Sequence, residues 1–345
     1  MKKQKTTLLI TGGAGFIGSN FIHYMLKHHP DYQVINIDKL TYAGSKENLR
    51  RTESYPNYLF IQADITNSTL VNAVFNEYNI AGVIHFAAES HVDRSIEDAA
   101  IFTETNLVGT MTLLQAAKNS WKKQGVLNKA RFHHISTDEV YGSLGEEGMF
   151  NEETPYDPRN PYSASKAGSN LLVNSFGHTY GMNIVITSSS NNYGPRQHEE
   201  KLIPAILSNA LNINPIPIYG DGKNIRDWLY VEDHCRALDL IFHHAEPMEK
   251  YNIGGSNEKT NIDIANHICS ILDERQADLR REKGLTSFKE LITFTEDRLG
   301  HDRRYAVDDS KLRDHFGWKP NESLAGGLQK TVDWYLTQWI PQLTR

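Results

Sequence analysis

The chain has 345 residues, 39% hydrophobic and 23% charged, enough apolar material for one or two buried cores of ordinary soluble type. A net charge of −6 gives no electrostatic ground for a nucleic-acid partner. No apolar run is long enough for a membrane span or a signal peptide, and Cys235 and Cys269 imply no disulfide framework, so a reducing cytoplasm is expected.

Residues 7–11 are a short apolar run followed by glycines, and predict a buried strand. A helix is expected over 19–27 and a second strand over 33–38, which makes one parallel βαβ unit. The alternation continues with strands at 58–62, 82–87, 131–136 and 183–188, and helices at 70–78, 101–119 and 163–180. It predicts an α/β fold built on a doubly wound parallel sheet of the Rossmann type. After Asn191 prolines and short elements take over. We therefore expect a cofactor domain over 1–190 and a smaller α/β substrate domain over 191–345, with 228–254 returning to the large sheet through a helix from 231 and a strand at 251–253. Histidine doublets stand at His28-His29, His133-His134 and His243-His244. Neighbouring side chains point apart, so a doublet is poor ligand geometry, and no metal is expected.

Between the first strand and helix lies Thr11-Gly12-Gly13-Ala14-Gly15-Phe16-Ile17-Gly18. Glycines there let the backbone approach a pyrophosphate while the helix N-terminus offers free N–H groups. Asp38 ends the next strand, where a carboxylate can accept both ribose hydroxyls of NAD and repel a 2′-phosphate; Lys39 beside it weakens that preference. Asp64-Ile65 and Phe86-Ala87-Ala88 follow the third and fourth strands and complete the expected cofactor edge.

Tyr162 and Lys166 are four apart and share a helix face. A nearby ammonium and an oxidised nicotinamide would favour the phenolate, making Tyr162 a base for a sugar hydroxyl. Thr137 can hydrogen-bond that hydroxyl. A ketone formed at C4 of a hexose acidifies C5, whose proton Glu139 could take, while a protonated Asp138 gives its own to the departing C6 hydroxyl. Two close carboxylates resist joint ionisation, so one pKa should rise. Adjacent strand residues face opposite ways, so both can act on one substrate only if the backbone leaves strand geometry near Tyr141-Gly142. The other reading is that one carboxylate merely caps or pairs locally.

These segments, with Asp38-Lys39-Leu40-Thr41-Tyr42-Ala43-Gly44, His85-Phe86-Ala87-Ala88-Glu89-Ser90, Thr105-Asn106-Leu107-Val108-Gly109-Thr110, Asn191-Asn192-Tyr193-Gly194-Pro195 and His301-Asp302-Arg303-Arg304-Tyr305, resemble the extended short-chain dehydrogenase/reductase family, over nearly the whole length. Within it the chain is similar to the 4,6-dehydratases of nucleotide-activated glucose. The Thr137-Asp138-Glu139 triplet separates these from epimerases, which lack the carboxylate pair, and from the GDP-mannose branch, which usually has Ser for Asp.

The resemblance implies oxidation at C4 by NAD, loss of water across C5 and C6, and reduction at C6, with dTDP-glucose as leading substrate. UDP-glucose remains open, as does an epimerase or decarboxylase; a non-catalytic NAD-binding regulator would be expected to lose the intact Tyr162–Lys166 pair. The resemblance adds Lys39, Leu40, Thr41, Ser90, Thr105 and Asn192 to the cofactor contacts. It places the sugar nucleotide against Ser90, Asp93, Thr137, Asn191, Lys201, Leu202, Pro217, Tyr219, Arg226, Asn261 and His301; a guanidinium fork such as Arg226 suits a diphosphate. It implies a homodimer paired through the helices at 101–119 and 163–180. The segment Arg196-Gln197-His198-Glu199 and Leu299 depart from the usual pattern.

Overall fold

The computed structural model describes residues 6–297 and 301–343; Leu299 lies outside the described residues. The first half runs β1 (Thr6–Thr11), α1 (Phe16–His28), β2 (Tyr32–Asp38), β3 (Tyr58–Gln62), α2 (Ser68–Glu77), β4 (Ile80–His85), α3 (Val92–Glu97), α4 (Ala99–Thr103), α5 (Thr110–Gln124), β5 (Arg131–Thr137), α6 (Pro161–Tyr180) and β6 (Asn183–Ser189). The second half runs β7 (Asn191–Tyr193), α7 (Leu202–Leu211), β8 (Ile216–Tyr219), β9 (Ile225–Tyr230), α8 (Val231–His244), β10 (Lys250–Ile253), β11 (Glu258–Thr260), α9 (Asn261–Arg275), α10 (Ala277–Glu282), β12 (Ile292–Thr295), α11 (Ser310–Phe316) and α12 (Leu324–Leu343).

Seven strands form one sheet in the order β10-β6-β5-β4-β1-β2-β3, every pair parallel. Both faces are covered, which is why its strands read as near-continuous apolar runs. In β1, Leu8 and Ile10 enter the core shared with Phe21, Leu238 and Trp318, while Leu9 enters the opposite one with Val83, Leu113 and Trp121. Strand order reverses between β1 and β4, opening a crevice at the carboxyl edge of the sheet.

The remaining strands form a sheet ordered β11-β9-β7 and a pair β12-β8. Residues 225–230 belong to that smaller sheet, and the chain rejoins the large one with α8 and β10, which pairs with β6. Leu312 of α11 and Trp318 also pack into the large sheet's core, a second return that the sequence pattern did not signal. The third core gathers Ile203, Leu207, Trp228, Ile264 and Leu328.

Two local departures bear on the site. α6 starts two residues before the predicted 163, because Pro161 occupies its first turn and Asn160 and Ser163 close a reciprocal cap. The helix expected over 101–119 is broken by a π turn, Glu104–Gly109. There the buried Asn106 turns its side chain to Glu89 and Ser165, and a Cβ on Gly109 would stand 2.6 Å from Ile65. A widened turn at a site of tertiary bonding is the usual setting for π geometry. Cys235 and Cys269 are buried free thiols in α8 and α9. Among the described residues no helix is long and apolar enough to cross a membrane.

Candidate active site

The crevice is a cleft of about 310 Å³. One end is walled by Gly12, Gly15, Phe16, Ile17 and Gly18 with Asp38, Lys39, Thr41, Asp64 and Ile65. Phe86, Ala87, Ala88, Ser90 and Thr105 line its middle. Thr137, Asp138, Glu139, Tyr162 and Lys166 line the other end, with Asn191, Asn192 and Lys201.

The glycine turn has no room for side chains. Gly12 has φ +73°, and a Cβ there would stand 2.5 Å from the Ala87 nitrogen; one on Gly18 would meet the Gly12 carbonyl at 2.4 Å. The residues beyond fit NAD. Asp38 Oδ2 accepts the Ala14 N–H and Oδ1 the Leu40 N–H, both at 2.8 Å, and each oxygen retains a lone pair for a ribose hydroxyl. Burial raises the Asp38 pKa, tempered by those two N–H groups. Lys39 does not offer its charge to a 2′-phosphate: its ammonium lies 2.6 Å from Asp64. Burial alone would raise Asp64, but Lys39 and the Thr66 N–H and hydroxyl together outweigh it and hold that carboxyl below its ordinary range. Leu40, expected among the cofactor contacts, sits instead in a left-handed turn (φ 59°) that aims its N–H at Asp38, and does not line the cleft.

At the reacting end, β5 stops at Thr137 and the chain enters a 3₁₀ turn, Asp138–Tyr141, ended by Gly142 at φ 92°. The backbone thus leaves strand geometry just where two adjacent carboxylates need it to, and both line one cleft. Asp138 is 2% exposed. Its Oδ1 accepts the Thr137 hydroxyl at 3.3 Å, while its buried Oδ2 has no hydrogen-bond partner among the described residues. Burial, then the neighbouring Glu139, pushes its pKa well up. Glu139 accepts an N–H of Asn160 at 3.5 Å.

Tyr162 is buried, and the Thr137 side chain is close enough to temper its pKa. Lys166 donates to the Ile135 carbonyl at 2.7 Å, and burial lowers its pKa to about 7. The expected phenolate is not favoured by the protein's own groups: burial, then the Glu139 carboxylate, raises the Tyr162 pKa.

Several residues expected to hold the sugar nucleotide lie off this cleft. Asp93 is in the first turn of α3, and Leu202 opens α7 directly after Lys201, whose ammonium donates to the Ser90 carbonyl at 3.3 Å. Pro217 and Tyr219 are exposed on β8. The Tyr219 ring stands edge-on to His301, 6.5 Å away, and His301 bonds Asp297 at 2.6 Å. The N–H of Asn261 donates to the Asn224 carbonyl. Arg226 is buried, donates to the carbonyls of Ile225 (2.8 Å) and Asp302 (2.9 Å), and stacks on Tyr305 at 4.4 Å. Its fork serves the backbone, a use that sequence spacing does not disclose.

Conversely, Glu89, Ser136, Ser189, Ser190 and Glu200 line the cleft without having been assigned a role, as do Gln197 and His198 of the departing segment. Ser189 and Ser190 sit at the end of β6, and the strand-end rule could have found them. Asn106 is the other omission. It accepts the Glu89 N–H (2.9 Å) and donates to the Glu89 carbonyl (3.0 Å) and to Ser165 Oγ (2.8 Å). The cofactor loop after β4 and the helix bearing Tyr162 and Lys166 are thereby tied together.

Fold, glycine turn, Asp38 and the Tyr162–Lys166 pair define an NAD-dependent enzyme of the extended short-chain dehydrogenase/reductase type. The profile of the family described as GDP-mannose 4,6 dehydratase matches residues 9–331. A dTDP-glucose 4,6-dehydratase of Haemophilus influenzae is 50% identical over 332 residues, 95% of this chain and 97% of that one. Solved dTDP-glucose 4,6-dehydratases are also similar. That of Bacillus anthracis with NAD has TM-score 0.84 at 43% identity, covering 97% of this chain and 99% of its own. That of Streptomyces venezuelae, also with NAD bound, has TM-score 0.85 at 41% identity, with the same coverage. The chain belongs to the GDP-mannose 4,6 dehydratase family and, within it, to the dTDP-glucose 4,6-dehydratases.

Proposed function

We propose that the protein converts dTDP-glucose into dTDP-4-keto-6-deoxy-glucose, a hydro-lyase reaction with NAD as a cofactor restored in each turnover. The observation that carries this is the buried Asp138, its Oδ2 unpartnered and its carboxyl pushed towards the protonated form by burial and then Glu139, beside Glu139 and Tyr162 in one cleft. A simple dehydrogenase has no use for that acid.

Bound NAD supplies the redox chemistry at C4 and C6 and a positive charge beside the phenol. Thr137 and Tyr162 hold the C4 hydroxyl, and Tyr162 takes its proton; the Lys166 ammonium, able to gain or lose a proton near pH 7, supports the phenolate. Glu139 then removes the C5 proton, made acidic by the C4 ketone. Asp138 protonates the C6 oxygen as it leaves as water, and C5 is reprotonated when C6 is reduced.

The seven-stranded sheet carries the cofactor, and the β11-β9-β7 and β12-β8 sheets with their helices would bound the sugar nucleotide. Pro217, Tyr219, Arg226, Asn261 and His301 would then bound its nucleotide end rather than the reacting hexose.

The chain pairs as a homodimer through α4, the π turn, α5 and α6. Ile101, Val108, Met111 and Leu171 are large apolar side chains on those helices, 38–60% exposed. Apolar residues so grouped on two adjacent helices fit a twofold, self-complementary interface. Buried reduced thiols suit the cytoplasm.

The test is incubation with dTDP-glucose and UDP-glucose in parallel, with products identified by mass. Loss of one water from dTDP-glucose is expected. Turnover of UDP-glucose alone, or an unchanged mass with inverted C4, would overturn the assignment.

A further inference from the structure

We propose that His29, Asp239 and His243 form a binding site for a borderline divalent metal ion such as Zn²⁺, at the edge of the sheet opposite the active site. His29 caps the C-terminus of α1, and Asp239 and His243 are one turn apart near the C-terminus of α8. In a parallel α/β fold helices run against the strands, so both helix ends lie at the edge remote from the cleft.

Within each histidine doublet the rings diverge, but these two belong to different doublets and meet across helices. Each residue offers a ligand atom, and all lie within 4.8 Å of one another. Asp239 Oδ1 is 2.8 Å from His29 Nε2 and 2.9 Å from His243 Nδ1. Donors around a tetrahedral Zn²⁺ stand roughly 3.3 Å apart, given Zn–N and Zn–O bonds of about 2.0–2.2 Å. Small side-chain rotations span the difference.

Three further observations point to a cation. First, His29 Nε2 and Asp239 Oδ1 are buried and close, yet misaligned, so neither completes a hydrogen bond. A shared ion would satisfy both. Second, the His29 and His243 rings stack 4.8 Å apart at 18°, which disfavours charging both. Third, two helix C-termini converge here, and their dipoles favour positive charge.

The supporting shell is in place. Tyr32 bonds His243 Nε2 at 2.9 Å and Tyr24 donates to Asp239 Oδ2 at 3.3 Å; His243 Nδ1 donates to the Asp239 main-chain carbonyl at 2.8 Å, a bond that it would exchange for the ion. Arg236, the nearby cation, is drawn off by Asp233 at 3.0 Å and by the Lys319 carbonyl. Two imidazoles and a carboxylate suit Zn²⁺, and partial exposure leaves a position for water. The ion would pin the first βαβ unit to the returning helix.

The test uses the full chain with NAD bound, stripped with a chelator and titrated with Zn²⁺ against a chromophoric competitor, and separately with Co²⁺. One tight equivalent per chain and a visible Co²⁺ spectrum of four-coordinate type are expected. His29→Gln and His243→Gln should each weaken binding by about 10-fold or more, and Tyr32→Phe by about 10-fold, the effect typical of an outer-shell partner. Turnover should be unchanged in all three. Absence of a tight equivalent in the wild type, which no folding defect can explain, overturns the proposal. So does binding left intact in the His29→Gln/His243→Gln double variant.

Discussion

Asn106→Ala is the most demanding check on how the cleft is held. Asn106 is 1% exposed and its amide closes three bonds, two to the backbone of Glu89 and one to Ser165. Truncation leaves the Glu89 N–H and carbonyl unpaired in a buried strand-end loop. Ser165 loses an incoming bond but still donates to the Tyr162 carbonyl at 2.7 Å. Each orphaned buried backbone group costs about 1–3 kcal/mol, so two give about 2–6 kcal/mol. Water entering from the cleft side would recover part, and about 3 kcal/mol is expected, a large share of the roughly 5–15 kcal/mol that holds a domain folded. The Thr110 hydroxyl bond to the Asn106 carbonyl is backbone-directed and survives. Because the Glu89 loop joins Ala88 to Ser90, NAD affinity should fall with stability. Urea unfolding with and without NAD measures both, and a double-mutant cycle with Ser165→Ala isolates the tie to the catalytic helix. A stability loss under about 0.5 kcal/mol, within the range of a surface change, with unaltered NAD affinity would refute the reasoning.

Glu139→Gln should leave C4 oxidation intact and stop dehydration, so that reduced cofactor accumulates on mixing with dTDP-glucose; undiminished product by mass would remove Glu139 from its role. Asp138→Asn should abolish dehydration yet stabilise the fold at neutral pH. Unfolded Asp138 ionises near 3.8 while the folded carboxyl titrates well above that, so wild-type stability falls as pH rises through that window, and the variant's does not. Melting curves should coincide near pH 3.8 and separate above it; equal melting at pH 8 would contradict the burial argument. Gly12→Ala places a Cβ 2.5 Å from the Ala87 nitrogen at φ +73°, a left-handed penalty of about 1–2 kcal/mol plus the clash, and should eliminate NAD binding in a fluorescence titration. Met111→Glu with Leu171→Glu should yield monomers on sedimentation, since burying each apolar side chain is worth about 1.5–3 kcal/mol; an unshifted dimer would exclude the α5–α6 face.

The large sheet was legible because burial on both faces writes each strand as an apolar run closed by a glycine or a polar turn. β3 and the start of β5 fall where the pattern places them. The π turn at Glu104–Gly109 was not legible: six residues are too few to separate its period from an α-helix, and its cause is a tertiary bond from Asn106. At the site, the strand-end rule led to Asp38, Asp64 and Asp138 directly from the residues. Arg226, Asn261 and His301 came from resemblance, and they lie off the cleft because where an element is placed, and what a side chain such as Arg226 bonds there, depends on packing that no local pattern encodes. The meeting of His29 with His243 escaped for the same reason, since 214 residues separate two doublets that a helix pair brings together.

The chemistry at the far end of the cleft follows from one physical effect acting on three groups. Burial raises Asp138 and Tyr162 and lowers Lys166, so the protein by itself favours the neutral form of each. In the proposed mechanism the neutral form of Asp138 is the working one, an acid suited to protonate a leaving hydroxyl. For Tyr162 it is the resting one: a base is needed, and positive charge must be brought beside the phenol before its proton can move. Lys166, with a pKa near 7, can carry that charge only while protonated. In the proposed mechanism the first step is therefore sensitive to the charge beside Tyr162. Bound NAD would add positive charge near Tyr162 and so favour release of the phenol proton, whereas burial already favours the protonated form of Asp138. Oxidation would precede elimination because the C4 ketone is what makes the C5 proton acidic enough for Glu139 to remove, and the neutral Asp138 suits the step that follows.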